Sequence, residues 1–299
     1  MLISRMISSL ASTAILASLL GSCGDSGPPA PRGGSPEWHW DNAGYYYERS
    51  EFSKMSTELV AIADRETPLN QPARVWRTVL LLGLSEGFMD IGDAFRAAIE
   101  EDPDLRQTYD ARLQQVNRDA RQYTIELTES LGELDEAWGT GDVVCQFPFP
   151  PGSAEMPPVL EGIREGQDVS SEQVAGAGER TVYRGVVLAA TEFCGFGDGP
   201  EHVEKAQTQF EAGPVTISND DARFAVAKML LDASLVFSDL RVNEPNVREA
   251  MIDRTEQWIQ PYLESENEEL KERAEAFAEE IEDERRDMRK RARRLKKRE

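Results

Sequence analysis

The chain is poor in the residues on which catalysis and metal binding most often depend. Its 299 residues include only two histidines, His39 and His202, and three cysteines. Two histidines leave little room for a His-rich metal site or for His-based catalysis, and they form no Ser/His/Asp or Cys/His arrangement with their neighbours in sequence. We therefore expect a protein that is not an enzyme and that holds no metal or cofactor.

Positive charge is scarce outside one segment. The chain has 33 Lys and Arg against 55 Asp and Glu, a formal net charge of −22. Because a phosphate backbone attracts cationic surfaces, this balance argues against a nucleic-acid-binding protein. An apolar fraction of 40% is nevertheless too high for a wholly disordered chain, so a globular body is expected.

Long apolar runs are missing, apart from one near the N-terminus. Residues 6–20 are apolar or small, a stretch suited to the h-region of a signal peptide and too short to span a bilayer comfortably. The run ends in Leu20-Gly21-Ser22-Cys23, which resembles the lipobox of bacterial lipoprotein precursors. The resemblance implies that residues 1–22 are a removable signal peptide and that Cys23 receives the lipid. A secretory signal with a chance Cys and an uncleaved anchor are the alternatives.

The same resemblance implies a location. A lipidated Cys23 would hold the protein to a bacterial membrane outside the cytoplasm, on the periplasmic or outer-surface side. Two or three acyl chains, at about 0.8 kcal/mol per buried CH₂, make a durable anchor. Residues 23–36 are rich in Gly, Pro and Ser and have no periodicity, so they are expected to form a flexible linker.

Cys145 and Cys194 are the other two cysteines. In an oxidising compartment an even pair favours one disulfide, and two buried free thiols are the alternative. A metal site is not expected, since neither a CxxC spacing nor a nearby His accompanies them.

Alternating strand patterns are absent, and from about residue 42 the apolar spacing is helical. The sequence predicts an all-α fold, a helical-hairpin array or bundle over residues 37–263 with a long charged C-terminal helix over 264–299. Residues 139–158 contain five prolines and are expected to form an irregular connection, at which the body could divide into two halves. Helices are expected over residues 43–64, 74–101, 104–138, 171–193, 200–210, 220–238, 245–263 and 264–297.

Two patterns within the helical body indicate repeats. Residues 75–81 and 182–188 both contain an aromatic residue, an Arg and an aliphatic run, at an offset of 107 positions. Phe95, Ala98 and Pro103 keep the spacing of the C-terminal half of the tetratricopeptide repeat, so this part resembles a degenerate unit of that family. The N-terminal half of that repeat is not reproduced, and a plain helical bundle is the alternative.

The helix expected over residues 74–101 carries two further patterns. Glu86, Asp90 and Asp93 share one face, where they could bind a cation or act as acid and base, or could simply form a solvated surface. Gly83 and Gly87 are one turn apart and predict a close helix crossing. Upstream, five aromatic residues either seat the first helix on the core or stack a ligand: Trp38, Trp40, Tyr45, Tyr46 and Tyr47.

The C-terminus has the strongest charge pattern. Residues 37–284 contain 52 acidic and 21 basic residues, a net charge of −31, whereas residues 285–298 contain ten basic residues and one acid. A seam of Leu270, Ala274, Phe277 and Ile281 precedes them. The basic segment is either a solvated helix packed on the acidic body or a contact with an anionic surface or acidic partner, with a short coiled coil as a variant. The residues of that contact would be Arg285, Arg286, Arg289, Lys290, Arg291, Arg293, Arg294, Lys296, Lys297 and Arg298.

Together these features predict a lipid-anchored protein-interaction or scaffolding module of the cell envelope, with an envelope protein as its partner and no nucleic acid. The alternative is a small-ligand-binding lipoprotein of a transport system, similar at the level of fold to helical-repeat lipoproteins that accompany some solute transporters. A hydrolase of the envelope is a third hypothesis. An open groove would favour the first, a closed apolar cavity the second, and converging carboxylates with perturbed pKa values the third.

Overall fold

Helices dominate the part of the chain that is described by a computed structural model, residues 31–137, 141–149, 154–167, 169–197, 199–238 and 240–295. The first five helices in this part are α1 (Pro36–Tyr47), α2 (Phe52–Ala63), α3 (Asn70–Glu101), α4 (Arg106–Ala137) and α5 (Pro158–Arg164). The next five are α6 (Ser171–Phe193), α7 (Val203–Ala212), α8 (Asn219–Ala233), α9 (Pro245–Leu263) and α10 (Glu268–Leu295). The predicted all-α class is confirmed.

Helix α3 is the centre of the arrangement. Its 32 residues span about 48 Å, and most of them are buried, including an unbroken run from residue 75 to residue 85. Since residues 75–85 are buried on every side, neighbouring elements must enclose this part of the helix. Accordingly, α4 packs along one side of α3 and α6 along another, while α2, α5 and a short strand cover the remainder.

The crossing of α3 and α6 is a contact between backbones. A Cβ atom built on Gly83 would lie 2.3 Å from the Cα of Val186, and one on Gly87 would lie 2.6 Å from the Cα of Val182. A Cβ atom on Gly185 would lie 2.2 Å from the carbonyl oxygen of Gly83. The close crossing predicted from Gly83 and Gly87 is therefore confirmed, and it brings residues 182–188 against the helix that contains residues 75–81.

The N-terminal end differs from the prediction. The single helix expected over residues 43–64 is wrong, because the chain breaks at Ser50, whose φ of 57° lies in the left-handed region, and forms α1 and α2 instead. The ring of Trp40 lies 5.0 Å from that of Trp76, and the ring of Tyr47 lies 5.6 Å from it. The hydroxyl of Tyr183 donates to the carbonyl oxygen of Tyr47 at 2.6 Å. Trp40 and Tyr47 thus seat α1 on the core, whereas Trp38 and Tyr45 are exposed.

Three short elements were not expected. Strands β1 (Val143–Cys145) and β2 (Val215–Ile217) pair antiparallel, with Val143 opposite Ile217. Three residues are too few to produce a recognisable alternation, which is why the sequence showed no strand. Helix α5 follows the proline-rich connection. The expected bounds of α6 and α9 are confirmed, whereas the helix expected at 220–238 ends as α8 at Ala233 and continues as a 3-10 turn, Ser234–Phe237.

Helices α8, α9 and α10 form a second packed group. In α10, Ala274 and Ile281 are buried, and Leu270 and Phe277 pack against the core. The apolar seam of the C-terminal helix is therefore used inside this chain. From Arg32 onward the described residues belong to one compact unit. Among the described helices, none combines the length and the apolar character needed to cross a bilayer.

Candidate functional site

An open apolar groove lies between α3, α4 and α6, with the start of α2 at one end. Its volume is about 540 Å³. Phe95 and Ile91 of α3 and Val182 of α6 form its floor, and all three side chains are buried. Phe88 and Tyr123 add two stacked rings whose centroids are 5.6 Å apart. The groove thus presents aromatic and aliphatic surface to solvent between three long helices.

Small residues on α6 leave this groove open. Ala175 is exposed at its edge, and a Cβ atom on Gly178 would make an ordinary contact with Ile91, 3.7 Å from its Cδ1. The space over Ile91 therefore exists because this turn of α6 lacks larger side chains.

Polar groups form the rim of the groove. Ser50 Oγ donates to Glu179 Oε1 at 2.9 Å on one side, and Gln115 lies exposed on α4 on the other. Apolar walls with a polar rim are typical of a protein-binding surface.

A second cleft, about 620 Å³ in volume, lies between α6, α8 and α10 and is lined by both charged and apolar side chains. Lys228 lines it, and its Nζ donates to Asp232 Oδ2 at 2.7 Å. Burial lowers the pKa of Lys228, but the carboxylates of Asp232, Glu192 and Glu280 outweigh that effect and leave the pKa above its usual range. The lysine is therefore held charged among acids.

Glu86 is a strongly perturbed carboxyl near this cleft. Burial raises the pKa of Glu86 well above its usual range, and the carboxylates of Glu192 and Asp232 raise it further. Converging acids of this kind are what the hydrolase hypothesis would require. Glu86 is, however, not among the residues that line the cleft. In the described part of the chain, no group of three His, Cys, Asp or Glu side chains is placed to hold a metal ion.

The other two acids on that face of α3 pair with arginines from elsewhere. Asp90 Oδ2 accepts from Arg184 Nη1 of α6 at 2.6 Å. Asp93 accepts from Arg241 Nη2 with both oxygens, at 3.0 and 2.8 Å. The structure therefore does not gather Glu86, Asp90 and Asp93 into one site. Instead, the ion pairs of Asp90 and Asp93 connect α3 to α6 and to the segment before α9.

Cys145 and Cys194 are brought together from 49 positions apart in the chain. Cys145 lies on β1 and Cys194 follows the last residue of α6, and both are buried free thiols. Burial raises the pKa of Cys194 well above its usual range, and a hydrogen bond with Cys145 raises it further. The sulfurs are thus neighbours, and the disulfide itself stays a prediction.

The basic segment of α10 is partly neutralised by acids of the same chain. Arg285 Nη2 donates to Asp253 at 2.6 Å and to Glu256 at 2.8 Å, both on α9. Within α10 itself, Arg286 pairs with Asp283, Arg289 with Glu282 and Lys290 with Asp287. The basic segment therefore has fewer unpaired positive charges than its ten basic residues suggest. Its contact with an anionic surface stays a prediction.

Some of the predicted site residues lie at the end of the described part of the chain or outside it. Arg291 and Arg293 are on the described part of α10, and Arg294 is described only in its backbone. The remaining predicted site residues lie outside the described part of the chain: Cys23, Lys296, Lys297 and Arg298.

Neither histidine lies in a site of its own. His39 Nδ1 lies 2.5 Å from Glu58 Oε2, and His202 Nε2 lies 3.6 Å from Glu201.

No protein-family model, curated protein or solved structure matches this chain. Its functional assignment therefore depends on its own residues.

Proposed function

We propose that this chain is a lipid-anchored module of the bacterial cell envelope that binds a segment of a protein partner without catalysing a reaction. The lipid would be carried by Cys23 after removal of residues 1–22, and residues 23–36 would let the helical body stand off from the membrane. The observation that carries the binding proposal is the open apolar groove between α3, α4 and α6.

The shape of the groove favours a peptide segment over a small molecule. It is open to solvent along helices, whereas small-ligand sites enclose most of the ligand surface. An apolar channel between helices is the surface into which an amphipathic segment lays its apolar face. Phe88 and Tyr123, which are half-buried, would supply the aromatic contacts for that face.

The charge of the body defines the partner further. Residues 37–284 have a net charge of −31, so a cationic partner is attracted and an acidic one is repelled. We therefore assign the groove to a cationic amphipathic segment of an envelope protein, with apolar anchors on one face and Lys or Arg on the other.

Site-specific photo-crosslinking in intact cells tests this proposal. A photoreactive residue at Gln115 lies at the groove, whereas the same residue at Gln114 is exposed on the same helix and does not line it. We expect a crosslinked envelope protein with a cationic amphipathic segment from Gln115 and not from Gln114. Equal crosslinking from both positions, or none from Gln115, would contradict the groove assignment.

The anchor is tested separately by Cys23→Ala. We expect this variant to leave the membrane fraction, because it lacks the thiol that receives the lipid. Retention of Cys23→Ala in membranes that have been washed with high salt would overturn the anchor proposal and leave the groove proposal standing.

A further inference from the structure

A smaller cleft, about 280 Å³ in volume, lies where the N-terminus of α9 faces the C-terminal half of α10. Phe237, Pro245 and Met288 supply apolar wall. One acid, Glu249, lines it and is exposed. Four arginines line it as well, Arg248, Arg285, Arg289 and Arg291. The lining therefore has an excess of positive charge in an otherwise acidic body.

Ser238 places an unused polar group at this cleft. The residue is only 3% exposed, and its Oγ has no hydrogen-bond partner in the described part of the chain. Its carbonyl oxygen is occupied, since it accepts from the backbone N–H groups of Arg241 and Asn243. A buried hydroxyl without a partner is costly and is seldom left so. The backbone of Ser238 is thus held in place, while its side-chain hydroxyl has no acceptor to which it can donate.

The N-terminus of α9 at the same cleft is also uncapped. Glu244 occupies the N-cap position, but its side chain makes no capping hydrogen bond. Both of its carboxylate oxygens accept instead from Arg121 of α4, at 2.8 and 3.2 Å. Pro245 has no N–H group, and the N–H groups of Val247 and Arg248 donate to the carbonyl oxygen of Glu244. This turn of the 19-residue helix therefore contributes the partial positive charge of the helix dipole, without a free N–H group from a residue that lines the cleft.

The arginines of the cleft are fixed in position by acids. Arg285 is held by Asp253 and Glu256, and Arg248 pairs with Glu284. Arg289 is held more loosely, with Nη2 3.4 Å from Glu282. A guanidinium has five N–H donors, so these pairs orient the groups and leave donor capacity on the loosely held Arg289.

We propose that this cleft binds a phosphate monoester with a short apolar substituent. The phosphate would accept from Ser238 Oγ and from Arg289, and the partial positive charge at the first turn of α9 would favour its negative charge. The substituent would lie against Phe237 and Met288. The volume is at the small end for ligand sites, which limits the substituent to a few carbons within the cleft. A soluble ester and a lipid headgroup share this chemistry, and the site is independent of the apolar groove.

Calorimetric titration of the full chain in detergent with n-hexyl phosphate tests the site. We expect saturable binding that Ser238→Ala weakens about tenfold, because a hydrogen bond to a charged group is lost. The melting temperature of Ser238→Ala should not fall, since the hydroxyl has no partner to lose. Binding that survives Ser238→Ala unchanged would overturn the assignment, as would the absence of saturable binding by the unmodified chain.

Two arginines provide a matched pair for the charge. Arg289 lines the cleft and Arg286 does not, although both side chains are 59% exposed and each is paired with an acid of α10. Arg289→Gln should weaken binding about fivefold and Arg286→Gln should leave it unchanged. Glu249→Gln should tighten it. Equal weakening by both arginine variants would mean general charge attraction and would overturn the site.

Two further ligands test the apolar part and the source of the phosphate. Inorganic phosphate should bind more weakly than n-hexyl phosphate, and equal binding would overturn the role of Phe237 and Met288. Dihexanoyl phosphatidic acid distinguishes the sources. Binding of this soluble lipid that is tighter and sensitive to Ser238→Ala supports a lipid headgroup, whereas weaker binding supports a soluble ester.

Discussion

The contact of α3 with α6 and the contact of α9 with α10 both join long helices, but they are built differently. At the first, Gly83, Gly87 and Gly185 bring backbone against backbone, with no room for another atom. At the second, Ala274 and Ile281 form a buried seam, and Arg285 adds ion pairs that are partly exposed to solvent. Salt should therefore have little effect on the stability of the first contact, and a side chain added to its glycines should disrupt it. The second contact should tolerate substitution, and high salt should weaken it.

We expect the largest effect on stability from a disulfide between Cys145 on β1 and Cys194 at the end of α6. If Cys145 and Cys194 pair, the bridge closes a loop of 49 positions, and reducing it should lower the free energy of unfolding by about 4 kcal/mol. Denaturant melts with and without reductant measure this. The oxidised chain should also weigh less than the reduced chain by the mass of two hydrogens. Identical masses and melts would show that both thiols stay free.

Gly185→Ala tests the backbone contact directly. Its Cβ would lie 2.2 Å from the Gly83 carbonyl oxygen, so the two helices must separate, and we expect a loss of about 3 kcal/mol. Gly178→Ala is the matched control on the same helix. Its Cβ meets Ile91 at 3.7 Å, so it should be neutral or stabilise the protein by up to about 1 kcal/mol. Equal melting temperatures for Gly185→Ala and the unmodified chain would refute the tight crossing.

Glu86→Gln tests the charge beside this crossing. Burial raises the pKa of Glu86, so the folded state binds this proton more tightly than the unfolded state does. The stability that the proton contributes is present in full below the unfolded pKa, about 4.3, and is lost as the pH rises from there through the folded pKa. Glu86→Gln should raise the melting temperature at neutral pH by about 2 to 4 °C and have little effect near pH 4. The exposed Glu129→Gln on α4 serves as control, and a melting temperature lowered by Glu86→Gln at neutral pH would contradict the account.

We expect the smallest loss of stability from a substitution at the α9–α10 contact. Arg285→Gln removes the pairs with Asp253 and Glu256, yet the arginine side chain is 18% exposed and its partners more so, so the loss should be about 1 kcal/mol. High salt should shrink the difference from the unmodified chain. Arg286→Gln, whose side chain is 59% exposed, should change stability by less than the error of the melt. A loss at Arg285 that high salt does not reduce would argue against an electrostatic contact.

Much of the fold could be predicted from local signals. Helix α6 begins at a capping box formed by Ser170 and Gln173, and α9 begins at Pro245, a residue that favours the first turn. The break at Ser50 could not be predicted, because a serine in the left-handed region has no distinguishing pattern in sequence.

The candidate sites were harder to predict than the fold. Phe88 and Tyr123 follow the same helical spacing as core residues, and only the packing of α6 decides that they border a groove. Ser238 has no pattern of its own. Its significance depends on a missing partner within the described part of the chain, which is a property of the folded protein.

Binding of the crosslinked partner to two arginine variants tests the central claim most directly. Ala175 lies exposed in the groove, and Ala111 is exposed on α4 outside it. With the purified partner, Ala175→Arg should reduce affinity at least about tenfold, because it fills the groove and repels a cationic segment. Ala111→Arg should leave the affinity unchanged. Equal affinities for both variants would contradict the proposal that the groove is where this protein binds its partner.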